Sequence, residues 1–177
     1  MQKLTFTTPR LTLREVEMSD QQKIFEGFSN PVVTKYMDIT YPTFEATAEQ
    51  MLWYETKRKN GTGNSWAVIN EQHEFIGVVS TYDLHPLHRR CEIGYWFFPE
   101  FWGKGYGKES MNVLLTTLAK EQNIHRFVAE VEPENTTSIA LLKSLGFNRE
   151  AVFKDHEFRN NQFADLEIWA KIFNGTE

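Results

Sequence analysis

Trp102-Gly103-Lys104-Gly105-Tyr106-Gly107-Lys108-Glu109 lies between an aromatic run, Glu92-Ile93-Gly94-Tyr95-Trp96-Phe97-Phe98, and a stretch in which Met111, Leu114, Leu115, Leu118 and Ala119 recur at helical spacing. The first run reads as a strand ended by Pro99 and the second as an amphipathic helix with one apolar stripe. Glycine at every second position of the junction lets the backbone turn tightly with several N–H groups facing the same way. With the helix N-terminus behind them, those groups make an anion site, read here as a phosphate site, and Lys104 and Lys108 add positive charge. A P-loop requires G-x-x-x-x-G-K-[ST]; Gly107-Lys108 would fit its end, but Trp102 stands where the first glycine is needed and Glu109 replaces Ser/Thr. A dinucleotide fingerprint starting at Gly103 fails at Lys108, where its third glycine belongs.

Composition bounds the rest. The 177 residues are read as one domain, 1–177, with 41% hydrophobic and 24% charged residues and 14 phenylalanines, values that suit a globular chain with an aromatic-rich core. The formal net charge of −5 argues against a non-specific nucleic-acid binder and suits a cationic acceptor. Cys91, the single cysteine, cannot form an internal disulfide, and its strand context suggests a buried thiol. The first residues, Met1-Gln2-Lys3-Leu4-Thr5-Phe6, lack a signal-peptide apolar region, and no apolar run approaches membrane-spanning length, so the expected location is cytoplasmic with no membrane partner.

Along the chain, Pro9 to Arg14 alternates as a first strand, and Ser19-Asp20 reads as the N-cap of a helix carrying Ile24, Phe25 and Phe28. Residues 43–59 read as a second helix, with Phe44, Thr47, Met51, Leu52 and Tyr54 inclined to one side. Ser65–Ile69 and Phe75–Ser80 form a hairpin, and a basic connection, residues 83–90, leads into the strand before the glycines. Arg126–Val131 is a further strand, Thr136–Leu145 a helix closed by Gly146, and two final strands, near 151–158 and 163–172, flank Asn160-Asn161. The order β, α, α, β, β, β, α, β, α, β, β predicts a mixed α/β sheet of about seven strands with helices on both faces.

The glycine stretch resembles the pyrophosphate loop of the GNAT acetyltransferases, [Q/R]-x-x-G-x-[G/A], although Trp102 departs from its first position. The Trp-Gly-Lys-Gly-Tyr string after an aromatic strand resembles the branch that acetylates ribosomal-protein N-termini on alanine or serine. Arg10-Leu11-Thr12-Leu13-Arg14 and Ser29-Asn30-Pro31 extend that likeness, and Asn135-x-x-Ser138-x-x-Leu141-Leu142-x-x-Leu145-Gly146-Phe147 is similar to the superfamily's second block, correctly spaced from the first. The resemblance therefore covers nearly the whole chain. It implies a GNAT fold with a splay between the fourth and fifth strands, acetyl-CoA as cosubstrate and no metal.

It also implies roles. Main-chain amides of Gly103, Lys104, Gly105, Tyr106, Gly107 and Lys108 would hold the diphosphate. Main-chain groups of Trp96, Phe97 and Phe98 would meet the pantetheine arm, and an N–H near Phe97 would stabilise the oxyanion. Asn135 would contact the cofactor arm, and Ser138 would lie near the departing sulfur. Many relatives place a tyrosine seven residues after the Asn as general acid; here that position is Leu142, which shifts the role to Ser138. Two carboxylates are candidate bases for the acceptor amine: Glu157, which resembles the catalytic Glu of the ribosomal branch, and Glu92, which resembles the position used in some histone-type relatives.

An α-amino group of pKa near ~7.8 is roughly a tenth neutral at pH 7, whereas a lysine near ~10.4 costs about 4.6 kcal/mol to deprotonate there. A modest base thus suffices for a protein N-terminus, and the resemblance to the ribosomal branch makes a protein N-terminal amine, ribosomal or other, the expected acceptor. A small cationic amine is the alternative, since residues 156–163 are similar to the corresponding stretch of spermidine acetyltransferases; an idle acyl-CoA-binding module is another. Trp53, Tyr36 and Phe163 are aromatic candidates for the acceptor pocket. The five histidines do not cluster as a metal set; His85 and His88 share one loop. Oligomeric state is open between monomer and dimer.

Overall fold

The computed structural model describes residues 4–159 and 161–174, so the readings that fell on residues 1–3 and on Asn160 lie outside the described residues. Twelve elements follow in order among them: β1 (Thr5–Thr7), β2 (Leu11–Glu15), α1 (Gln21–Phe28), α2 (Ala48–Asn60), β3 (Asn64–Asn70), β4 (Phe75–His85), β5 (Arg90–Phe97), α3 (Tyr106–Glu121), β6 (Arg126–Val131), α4 (Thr136–Ser144), β7 (Asn148–Arg159) and β8 (Gln162–Ile172). They build one sheet in the order β1-β2-β3-β4-β5-β6-β8-β7. The sheet has eight strands rather than about seven. The extra one is β1, whose three residues pair with β2 through Phe6↔Leu13 and are too few to show a period in the sequence.

Helices cover both faces, as the element order predicts. On one face Met111, Leu114, Leu115 and Leu118 of α3 and Leu142 of α4 pack with Trp66, Phe97, Phe127 and Trp169. On the other, Ile24 and Phe28 of α1 and Met51 and Tyr54 of α2 enclose Val78, Trp96 and Phe98. The second helix begins at Ala48, not at Thr43, because residues 44–47 form turns. Its inward side is Thr47, Gln50, Met51 and Tyr54, whereas Phe44 and Leu52 are 40% and 61% exposed. Gln50 belongs to the inward set because it accepts the Tyr41 hydroxyl at 3.2 Å. A polar residue on the buried stripe disguises the helix phase in the sequence.

Asp20 stands at the start of α1, but its carboxylate is turned back to Arg14, which grips both oxygens at 2.7 Å. Gly146 ends α4 with φ +85, the left-handed value a helix C′ glycine takes. Cys91 is a buried thiol whose pKa burial pushes up to about 12.

Among the described residues, every neighbouring strand pair is antiparallel except β5–β6, which is parallel. That pair carries only three registered partners, Arg90↔Arg126, Cys91↔Phe127 and Glu92↔Val128. Beyond Glu92 the two strands part while β5 stays paired with β4 as far as Gly77↔Phe97. The expected splay is this gap, and the sites described next surround it. No helix among the described residues is long and apolar enough to cross a membrane.

Candidate active site

At the open end of the gap, Pro99 stops β5 and the chain turns through Trp102 to Gly105. Gly103 and Gly105 take φ values of +72 and +83, which would strain a residue carrying a Cβ. Gly105 is the N-cap of α3, and no side chain caps the amides that follow. The Glu109 N–H is bonded back to the Gly105 carbonyl at 3.0 Å, so the amides of Tyr106, Gly107 and Lys108 point out of the helix end with the dipole behind them. A Cβ on Gly107 would stand 3.1 Å from Leu141 Cδ2 and 3.4 Å from Phe97 Cε2. That glycine lets α3 sit close on both α4 and β5. Lys104 and Lys108 are exposed beside the loop, while Tyr106 is buried beneath it. The arrangement is an anion cradle of main-chain donors.

The loop is fastened by residues that the sequence reading passed over. The Arg10 guanidinium donates to the Lys104 carbonyl at 3.1 Å, lies over the Tyr106 ring at 4.8 Å and donates through Nε to Glu109 at 2.7 Å. Thr8 donates to the other Glu109 oxygen at 2.6 Å. Burial would raise the Glu109 pKa, but the Thr8 hydroxyl and the Arg10 charge outweigh it and hold the carboxyl below its ordinary value. No local pattern signals this pairing of residues 99 positions apart.

The phase of the β5 ladder fixes which main-chain groups face the gap. Phe98 N–H donates to the Ile76 carbonyl at 3.0 Å, so the peptide groups of Trp96 and Phe98 are turned toward β4. Those of Tyr95 and Phe97 are turned toward β6, where no strand partner meets them. The Trp102 indole N–H fills the Phe97 carbonyl at 2.8 Å, and the Tyr82 hydroxyl donates to the Ile93 carbonyl at 3.2 Å. The Phe97 N–H and the Tyr95 peptide groups are therefore those aimed into the gap. Trp96 and Phe98 contribute side chains to the packing beneath α1 and α2.

Across the gap, Asn135 caps α4 by accepting the Ser138 N–H at 3.1 Å. The Ser138 hydroxyl lies 2.7 Å from that of Tyr95. Burial pushes the Tyr95 pKa up to about 12, partly offset by the Ser138 bond, so the phenol stays protonated. Leu142 is 0% exposed within the main core. That helix position is filled here by an apolar side chain packed in the core, and a strand tyrosine, Tyr95, reaches the first turn of α4.

The two candidate bases have different surroundings. Glu92 forms the last registered pair of the closed end and is half-buried. Burial, with Glu130 and Asp83 adding repulsion against the weaker pull of Arg90 and Lys57, raises its pKa to about 7. Gly94, two residues on, keeps the floor open to the Tyr82 ring, since a Cβ there would stand 3.0 Å from Tyr82 Cε1. Glu157 is ion-paired with Arg159, which also binds Glu132 and Asp38 at 2.6 Å each. Arg159 thus ties β7, the connection that follows β6 and the α1–α2 connection together, and the Tyr36 hydroxyl adds a bond to the Glu134 carbonyl at 3.0 Å. Of the aromatic candidates, Trp53 packs edge-on against Tyr82, and Phe163 is 64% exposed, paired with Phe158 near the end of the hairpin. His85 and His88 stack at 4.4 Å, and among the described residues no group of three or more His, Cys, Asp or Glu could hold a metal ion.

The sequence and the fold are similar to those of known proteins. The family model described as "Acetyltransferase (GNAT) domain" matches residues 10–148. An uncharacterized N-acetyltransferase, p20 of Bacillus licheniformis, is 35% identical over 170 residues, covering 95% of this chain and 96% of its own. Among solved structures, RimL, a ribosomal L7/L12 alpha-N-protein acetyltransferase in complex with coenzyme A, shares the fold at a TM-score of 0.89 and 23% identity, over 97% of this chain and 99% of its own. Spermidine N-acetyltransferase from Vibrio cholerae, in complex with CoA and spermine, shares it at 0.83 and 24%, over 93% of this chain and 96% of its own.

Proposed function

The chain belongs to the GNAT acetyltransferase family and is an N-acetyltransferase using acetyl-CoA; from that premise we propose that its acceptor is the α-amino group of a protein chain. The observation that carries this reading is Glu92, held at the closed end of the gap with a pKa of about 7. An α-ammonium of pKa near ~7.8 gives its proton to such a carboxylate at a cost of about 1 kcal/mol, whereas a lysine-like ammonium near ~10.4 costs about 4.6 kcal/mol. RimL, which shares the fold, acts on a protein α-amine.

The steps follow from the chain's own groups. The amides of residues 106–108 hold the diphosphate, and the Tyr95 and Phe97 peptide groups take the arm as an added strand, which sets the thioester between Glu92 and Ser138. The acceptor enters from the α1–α2 face, where Glu92 and Glu130 stand, and Glu92 takes its proton directly or through one water. The amine lone pair then attacks the thioester carbonyl carbon, and the Phe97 N–H steadies the oxygen as it gains charge. The C–S bond breaks as the carbonyl re-forms, the departing sulfur takes a proton from the Ser138–Tyr95 hydroxyl pair, and the second proton of the attacking nitrogen, made acidic by the new C–N bond, restores that pair through water while Glu92 returns the first to solvent. Glu157, tied to Arg159, shapes the acceptor wall.

A second reading, a polyamine acceptor, has one observation in its favour: Glu92, Glu130 and Asp83 repel one another, a surrounding that attracts a multiply charged amine. The test offers labelled acetyl-CoA with a free-N-terminal peptide, the same peptide pre-acetylated at its α-amine but carrying lysine, and spermidine, and reads products by mass. Acetylation of the first alone supports the proposal. Preferential acetylation of spermidine overturns it in favour of the second reading, and binding of coenzyme A without turnover on broad amine panels overturns both.

A further inference from the structure

Glu109 poses an electrostatic problem. It sits in the first turn of α3, one residue beyond the amides that face the anion cradle, so its negative charge opposes any diphosphate placed there. Yet it is deeply engaged: Thr8 donates to one oxygen, and Arg10 donates through Nε and its main-chain N–H and lies 2.5 Å away through its second guanidinium nitrogen. The same guanidinium holds the Lys104 carbonyl and packs over Tyr106. Gly105 leaves it room, since a Cβ there would stand 3.4 Å from the Arg10 Nη2. One side chain thus touches the loop's carbonyl, its buried aromatic and the charge behind it.

We infer that Arg10 is a positioning residue for the diphosphate: it cancels the Glu109 charge at the cradle and turns the Lys104 carbonyl away from the anion. The N-terminal hairpin of β1 and β2 is therefore a working part of the cosubstrate site, although the loop and α3 alone supply the donors. The inference rests on reading the glycine loop as the diphosphate site.

The test measures coenzyme A binding to the full chain by titration calorimetry, with pantetheine, which has no diphosphate, as the second probe. Arg10→Ala leaves Glu109 unpaired and weakens coenzyme A binding by about tenfold at low salt, a deficit that shrinks as salt screens the charge. Arg10→Ala combined with Glu109→Gln recovers binding to within about threefold of the unaltered chain, because the opposing charge is gone. Arg10→Lys keeps the charge and loses less than Arg10→Ala, and pantetheine binding is the same in all variants. Coenzyme A binding unchanged in Arg10→Ala overturns the inference, as does a loss that Glu109→Gln fails to rescue, which marks a merely structural part. If the unaltered chain binds coenzyme A no more tightly than pantetheine, the diphosphate reading of the loop fails first. Melting temperatures taken alongside identify any variant that does not fold, and the lysine variant then carries the comparison.

Discussion

The hydroxyl of Tyr95 lies 2.7 Å from that of Ser138, joining the fifth strand to the first turn of the fourth helix across the gap in the sheet. Asn135 holds the Ser138 N–H at 3.1 Å, so the serine is fixed from both sides. A serine hydroxyl alone is a weak acid; one backed by a protonated phenol can refill its own proton as it gives one away.

Tyr95→Phe therefore lowers kcat by about tenfold to a hundredfold while leaving coenzyme A binding unchanged, since one hydroxyl is removed from the leaving-group side and no diphosphate contact is touched. Ser138→Ala has an effect of the same order, and the double variant falls little below the worse single one because the two act as a unit. Steady-state kinetics with acetyl-CoA and calorimetry with coenzyme A check this. A Tyr95→Phe enzyme within twofold of normal kcat would separate the pair from the chemistry.

As the proposed base, Glu92 would work only when ionised, so kcat/KM is expected to rise with pH through about 7 and level above it. Glu92→Gln removes that limb along with most of the activity; Glu157→Gln keeps the limb. Stability moves the other way. The native carboxyl has a pKa above its ordinary 4.5, so the folded chain binds more protons between about 4.5 and 7, and this contribution is lost as pH rises through that window. Glu92→Gln is consequently more stable than the unaltered chain at pH 8 by about 1–2 kcal/mol, allowing for the solvent that still reaches the group, and equal to it at pH 4. Urea unfolding at the two pH values measures both.

Restoring the tyrosine that many relatives carry does not help this protein. Leu142 is 0% exposed, so Leu142→Tyr forces a larger ring and a hydroxyl into packed core. It destabilises by about 1–3 kcal/mol or more and leaves kcat no higher. Leu142→Ala costs about 2–5 kcal/mol by opening a cavity. Denaturant midpoints and turnover on the same samples give the two readouts.

The loop, the strand before it and the stripe of α3 were legible because each is written in consecutive residues: alternate glycines, an aromatic run closed by Pro99, leucines at helical spacing. Tyr95 was quoted among the strand aromatics and passed over, because its meaning depends on α4 lying across the gap. Which peptide groups face that gap depends on the β4 register, where Phe98 bonds Ile76, and a one-residue shift would have exposed Trp96 and Phe98 as expected. Arg10 was seen only as a strand residue, and its partner is 99 positions away. The inward stripe of α2 was obscured by Gln50, which is polar and buried for the sake of Tyr41. Both carboxylates were named from the sequence, but the neighbours that distinguish them, Glu130 and Asp83 for one and Arg159 for the other, come from three different strands.

The parallel seam between β5 and β6 has three rungs and then stops. The two halves of the sheet are otherwise joined through α3 and the packing above and below. On the proposed reading, a guest laid along Tyr95 and Phe97 would bond to one half and, through Asn135 and Ser138, lean on the other, coupling occupancy to the rigidity of the whole span. At a hundred times its dissociation constant such a guest adds about 2.7 kcal/mol to the unfolding free energy. Slowed amide exchange on both sides of the seam, not merely at the glycines, is the signature of that coupling.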